Sequence, residues 1–250
     1  MSMTLNQSIA LAMDCKTPDL VPYLPYILQD FTEIGSSANS IVSILQDYGV
    51  QPSSRVLDLG CGKGYVSVAV AQAFGSQVLG VDGMKAFVDH GTQRAQELGL
   101  GNLKFIEADI REPKNIPGAW DWIILGSIGP VIGNHCETLE YCKQLLAPNG
   151  KVLLDDGYLK DSYGQITRDY VVSQIELAGM RLDREYVGDQ VYDPSETEQQ
   201  MAWIRVRCQE LKVQHPEKAQ LFQDYIDTQV REYEFLESLY VSSSMVICSQ

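Results

Sequence analysis

Three glycines at alternate positions, Gly60, Gly62 and Gly64, separate an apolar run ending at Leu59 from a helix-like run over Tyr65 to Phe74, in the stretch VLDLGCGKGYVSVAVAQAF that begins at Val56. A strand that ends in glycines and turns directly into a helix lets a ligand approach the backbone closely. The free N–H groups of the helix start then offer it hydrogen bonds. Two phosphate cradles fail on spacing: a dinucleotide fingerprint needs Gly or Ala where Tyr65 stands, and a Walker loop needs Lys and then Ser or Thr where Tyr65 and Val66 follow Gly64. Three carboxylates recur at strand-like ends. Asp58 lies two residues before the first glycine, Asp82 closes QVLGVD, and Asp109 follows FIEA. A carboxylate accepts two hydroxyl hydrogen bonds at once, and a charged acceptor is stronger than a neutral one. Taken singly, each Asp reads as a turn or capping residue. Placed at the ends of three strands beside a glycine loop, the three would converge on one crevice.

The segment DLGCGKG resembles motif I of the class I S-adenosylmethionine-dependent methyltransferases, and the resemblance continues from about Arg55 to Gly188. It implies that the loop of Gly60, Cys61, Gly62 and Gly64 passes under the methionine end of S-adenosyl-L-methionine, with Asp58 helping to hold its amino group. By the same resemblance Asp82 takes both ribose hydroxyls and Asp109 meets the adenine amino group. Gly83, Met84 and Ile110 would flank the adenine, although Met84 and Ile110 suit ordinary core packing equally well. Leu125, at the end of the fourth strand, would lie beside the transferring methyl. That strand runs into GSIGP and lacks the [DNS]-P-P-[YF] signature of members that methylate amino groups and nucleic-acid bases. The chain is therefore more similar to the small-molecule branch of quinone, sterol and arsenite methyltransferases.

Methyl transfer from a sulfonium is an in-line displacement, so the enzyme's task is alignment and exclusion of water. A general base is needed only for an acceptor that arrives protonated. The catalytic candidates are His135, just after the fourth-strand loop, and Asp156 and Tyr158, after the fifth strand. Tyr23, Tyr26, Ser127 and Tyr158 are the candidates for contact with the acceptor, the first two as a lid. Asp155 and Asp156 are neighbours and point to opposite faces of a strand, so they do not suggest a shared metal. No metal site is expected. Cys136 and Cys142, six apart, do not share a helix face, which speaks against thiolate capture of arsenic.

The elements that must position these groups alternate from Arg55 onward: RVLDL, GYVSVAVAQAF, QVLGVD, a helical stretch to Leu98, LKFIEAD, WDWIILG, CETLEYCKQLLA, KVLLDD, a second helical stretch, and MRLDREYVG. This βαβα rhythm predicts an α/β fold, a Rossmann-like doubly wound sheet of seven mainly parallel strands. Helices precede it, and a helical insertion from Ser195 to Leu239 comes before the last strand. The expected organisation is an N-terminal helical cap over residues 1–50, a cofactor-binding core over 51–190, and an insertion with the final strand over 191–250, all in one domain.

The formal charge of −14 over 250 residues repels phosphate backbones, and no basic cluster offsets it, so no nucleic-acid partner is expected. The six cysteines show no CxxC pair and read as reduced thiols of a soluble, cytoplasmic protein without a membrane span. A homodimer is left open. Two rival readings also stay open: a cofactor-binding module or sensor without transfer activity, and a nicotinamide-dependent oxidoreductase, which Tyr65 opposes.

Overall fold

The computed structural model describes residues 3–160, 166–188 and 194–250. The elements are α1 (Leu5–Ala12), α2 (Leu24–Ile27), α3 (Ala38–Asp47), β1 (Arg55–Leu59), α4 (Tyr65–Phe74), β2 (Gln77–Asp82), α5 (Lys85–Glu97), β3 (Leu103–Glu107), β4 (Trp120–Gly126), α6 (His135–Leu145), β5 (Leu146–Leu159), α7 (Arg168–Leu177), β6 (Met180–Val187), α8 (Pro194–Gln214), α9 (Ala219–Leu239) and β7 (Tyr240–Ser249). The seven strands form one sheet in the order β3-β2-β1-β4-β5-β7-β6. β1 pairs in parallel with β2 and β4, β2 with β3, and β4 with β5, while β6 and β7 are antiparallel. The doubly wound, mainly parallel sheet expected from the sequence is present.

Burial explains which strands were easiest to read. Val56 to Leu59 and Trp122 to Leu125 are buried throughout, as strands covered on both faces must be. The edge strands β3 and β6 instead mix buried with exposed positions. Strand order reverses at β1, between β2 and β4, which opens a crevice beyond the C-terminal strand ends where ligands of such sheets sit.

The described residues divide into two compact units. One contains the sheet with α3 to α7 (residues 32–190 and 241–250), and the other contains α1, α2, α8 and α9 (residues 1–31 and 191–240). Thus α3 falls with the sheet and not with the first two helices. The helical unit is held internally by the Arg207 guanidinium, which donates to both oxygens of Asp30 at 2.7 and 2.9 Å, and by Phe31 packing edge-on against Trp203. α1 opens on a reciprocal capping box between Thr4 and Gln7. Between α1 and α3 the chain forms a 3-10 helix over Pro18–Tyr23 followed by the single turn of α2, since Pro22 and Pro25 interrupt the backbone donors.

Candidate functional site

The loop between β1 and α4 is fixed by its own backbone. The N–H groups of Gly60 and Cys61 both donate to the Val81 carbonyl, at 2.8 and 3.0 Å, and Gly64 N–H donates to Cys61. All three glycines have positive φ, but they do different work. A Cβ on Gly60 would lie 2.6 Å from Ile128 Cγ2, and one on Gly64 would overlap the Phe105 ring. A Cβ on Gly62 would meet nothing. Gly62 is therefore the open face of the loop, whereas Gly60 and Gly64 are required by packing. Phe105 also fills the space left by Gly80, its direct partner in the β2–β3 register, and by Gly91.

The three carboxylates gather at the C-terminal ends of β1, β2 and β3, each in a different state. Asp58 is 3% exposed and accepts a 2.5 Å hydrogen bond from Ser67, on the first turn of α4. Burial pushes its pKa up to about 6, the neighbouring Asp82 charge adding to the rise while Ser67 opposes it. Asp82 accepts Gly62 N–H at 2.9 Å on one oxygen and Met84 N–H at 2.7 Å on the other. Burial raises its pKa to about 6 as well, against those two bonds. Asp109 is clamped by Arg111, whose Nε and Nη2 donate to its two oxygens at 2.8 and 2.5 Å. That pairing holds the Asp109 carboxyl below its usual range.

Around them, Gly83 is half-buried, and Met84 and Ile110 are buried at 7% and 8% exposure. The Cys61 thiol is kept protonated by burial and by Asp58 and Asp82. The Leu125 side chain is fully buried within β4, with Leu59 and Leu154 as its register partners on the flanking strands.

On the other half of the sheet edge, exposed Ser127 has a positive φ of 51° and donates its N–H to the Asp155 carbonyl at 2.8 Å. His135 opens α6 behind the capping residue Asn134 and packs edge-on against Tyr170. Burial lowers its pKa, partly countered by Asp156. Tyr158 is buried and donates to Glu185 at 3.1 Å, an acceptor it shares with Ser243 and Arg168. Tyr23 and Tyr26 are engaged within the helical unit: Lys218 donates to the Tyr23 hydroxyl, and the Tyr26 hydroxyl donates to Glu210, both at 2.7 Å. Among the described residues no group of three His, Cys, Asp or Glu side chains could hold a metal ion, and no helix is long and apolar enough to cross a membrane.

Sequence reasoning missed Ser67, Arg111, Ile128 and Phe105. Ser67 left a signal, because a serine inside the apolar run YVSVAVAQAF must find a partner for its buried hydroxyl.

A family model described as a methyltransferase domain matches residues 51–214. A curated relative, the 23S rRNA (uracil(1939)-C(5))-methyltransferase RlmD of Psychromonas ingrahamii, is 27% identical over 64% of this chain and 40% of its own length. The chain thus spans about two fifths of that relative. Among solved structures, YjhP from E. coli superposes with a TM-score of 0.74 at 16% identity, covering 91% of this chain and 99% of that one. A Geobacter sulfurreducens S-adenosylmethionine-dependent methyltransferase in complex with S-adenosyl-L-homocysteine gives 0.74 at 15% identity, covering 92% and 98%.

Proposed function

The chain belongs to the methyltransferase-domain family, enzymes that use S-adenosylmethionine, and from that premise we propose that it methylates a small molecule with the donor held at the ends of β1, β2 and β3. The observation that carries this reading is the gathering of Asp58, Asp82 and Asp109 at the C-terminal ends of β1, β2 and β3, with Asp82 accepting the N–H of Gly62, the loop glycine that faces open space.

The residues fit the group. Each oxygen of Asp82 has accepted one backbone N–H and keeps a further lone pair, so the carboxylate can still receive two ribose hydroxyls. Arg111 occupies most of the acceptor capacity of Asp109, leaving room on Oδ2 for a single amino N–H such as adenine's. Met84 and Ile110 supply apolar walls on either side. Gly62 admits the methionine portion, and Asp58 lends negative charge beneath its ammonium. Bound S-adenosylmethionine supplies a methyl group activated by its sulfonium charge. What the chain adds is alignment and a dry surface, and His135, held neutral by burial, can accept a proton from an acceptor that carries one.

Two features support a small acceptor over RNA. The net charge of −14 opposes approach of a polyphosphate, and the fourth-strand loop GSIGP lacks the base-methylating signature. The test is release of S-adenosylhomocysteine across a panel of amines, phenols, thiols, carboxylates and a 23S rRNA fragment. Turnover with a small acceptor and none with the RNA is expected; turnover with the RNA alone would overturn the small-molecule reading, and none with any member would favour a binding module.

A further inference from the structure

Of the three acids at the strand ends, Asp109 is the one gripped on both oxygens by a guanidinium. The clamp is built locally. The backbone N–H of Arg111 donates to Asp109 Oδ1 at 3.0 Å, closing a turn over Ile110. The Arg111 side chain then folds back, so that Nε donates to the same oxygen at 2.8 Å and Nη2 to Oδ2 at 2.5 Å. A second backbone bond, from Glu112 N–H to the Asp109 carbonyl at 3.1 Å, tightens the turn. Only 18% of the Asp109 side chain and 21% of that of Arg111 are exposed, so the pair is partly shielded from salt, and bonds to both oxygens fix the plane of the carboxylate. Ile110, at the tip of the turn, reaches back to the glycine loop, its Cδ1 3.9 Å from where a Gly60 Cβ would stand.

A carboxylate offers about four lone-pair directions, two on each oxygen. Arg111 fills both on Oδ1 and one on Oδ2, which leaves a single acceptor position pointing in a fixed direction. The Arg111 charge also holds the Asp109 carboxyl below its usual range, so near neutral pH that position accepts and does not donate. Asp58 and Asp82 behave differently: pushed up to about 6, each gains a proton, and with it a donor, as pH falls through that value. A base edge that carries an amino group meets the fixed acceptor with an N–H. An edge that carries a carbonyl sets lone pair against lone pair and leaves both acceptors unpaired.

We infer that Arg111 is a positioning residue that makes the donor site select a 6-amino purine over a 6-oxo purine, by fixing the one open acceptor position of Asp109. The inference rests on the methyl-donor reading above and adds to it the residue that selects the base. Without the guanidinium, the carboxylate keeps the backbone N–H of residue 111 on Oδ1 and loses the grip on Oδ2. It can then rotate Oδ2 away from a carbonyl edge, and the two bases are told apart less sharply.

The test is isothermal titration, at neutral pH, of S-adenosylhomocysteine and of S-inosylhomocysteine, its 6-oxo counterpart, into the wild-type protein, Arg111→Met and Arg111→Lys. The wild type is expected to prefer S-adenosylhomocysteine by at least about tenfold, the lower end of what a hydrogen bond to a charged group contributes. Arg111→Met should cut that preference by about fivefold or more. Arg111→Lys keeps the cation but grips at a single point, so its preference should fall between the two. A merely structural role would weaken both ligands alike and leave their ratio where it was. A ratio unchanged in Arg111→Met, a ratio fully kept by Arg111→Lys, or equal affinities in the wild type would overturn the inference while the donor reading stands. If Arg111→Met does not fold, Arg111→Lys decides alone. A wild-type protein that binds neither ligand would overturn the donor reading and the inference with it.

Discussion

The two halves of the C-terminal sheet edge are built by different means. At β1, β2 and β3 the site is made of backbone: Gly60, Cys61 and Gly62 are pinned by Val81 and Asp82, and each strand ends in an acid within a few residues of a glycine or a turn. At β4, β5 and β7 it is built on side chains drawn from distant segments, the Ser36 and Ser244 hydroxyls meeting the Asp155 carboxyl across more than 200 residues of chain. A backbone site depends on a contiguous motif and tolerates little change. A side-chain site can be rebuilt one residue at a time while the fold is kept, which is how one scaffold serves many acceptors.

The sharpest way to break this contrast is within the loop itself. Gly64→Ala places a Cβ at a φ of +81° against the Phe105 ring, and the strain and overlap together should cost about 3 kcal/mol of stability, read by denaturant unfolding. Gly62→Ala meets no atom and should cost only about 1 kcal/mol, yet it should weaken S-adenosylhomocysteine binding, because its methyl occupies the open face. Equal losses of stability in the two variants would show that the loop glycines do not divide their roles as described.

A pH series sharpens the same half. Asp58 and Asp82 are both pushed up to about 6 from an ordinary value of 3.8, so the native state binds their protons more tightly than the unfolded chain does. Their contribution therefore makes the free protein more stable below pH 3.8 than above 6, with stability falling as pH rises through that window. Ligand binding has the opposite sign, since it uses the ionised carboxylates. The melting-temperature increase produced by S-adenosylhomocysteine should shrink as pH falls through about 6. An increase that is constant from pH 5 to 8 would separate these two acids from the ligand.

A further test of the same half concerns Ser67. Ser67→Ala removes the hydrogen bond to the buried Asp58 carboxyl and should lower stability by about 2 kcal/mol. It should also push the Asp58 pKa further up, which moves the pH at which ligand-induced stabilisation is lost to a higher value. A variant with wild-type stability would mean that Asp58 finds another donor.

Legibility in the sequence followed the same division. The strand series and the glycine loop could be read because residues 55–109 carry their signals locally: continuous apolar runs, then Gly, then Asp. Tyr65 in place of a third small residue was enough to set aside the dinucleotide fingerprint. What could not be read were partners far apart in sequence. Phe105 explains Gly64, Gly80 and Gly91 together, but only the β2–β3 register places it opposite them. That the Leu125 side chain is completely buried likewise depends on the strands that flank it, which bring Leu59 and Leu154 alongside. Tyr23 and Tyr26, expected as lid residues, are tied to Lys218 and Glu210, nearly 200 residues later.

The central claim is that Asp82 and the glycine loop hold the donor, and isothermal titration of S-adenosylhomocysteine into the wild-type protein and Asp82→Ala tests it most directly. The account predicts micromolar binding to the wild type, weakened in the variant by about 2–4 kcal/mol, on the order of 30- to 1,000-fold, through loss of two charge-assisted hydrogen bonds. No heat with the wild type, or equal affinity for both proteins, would contradict it.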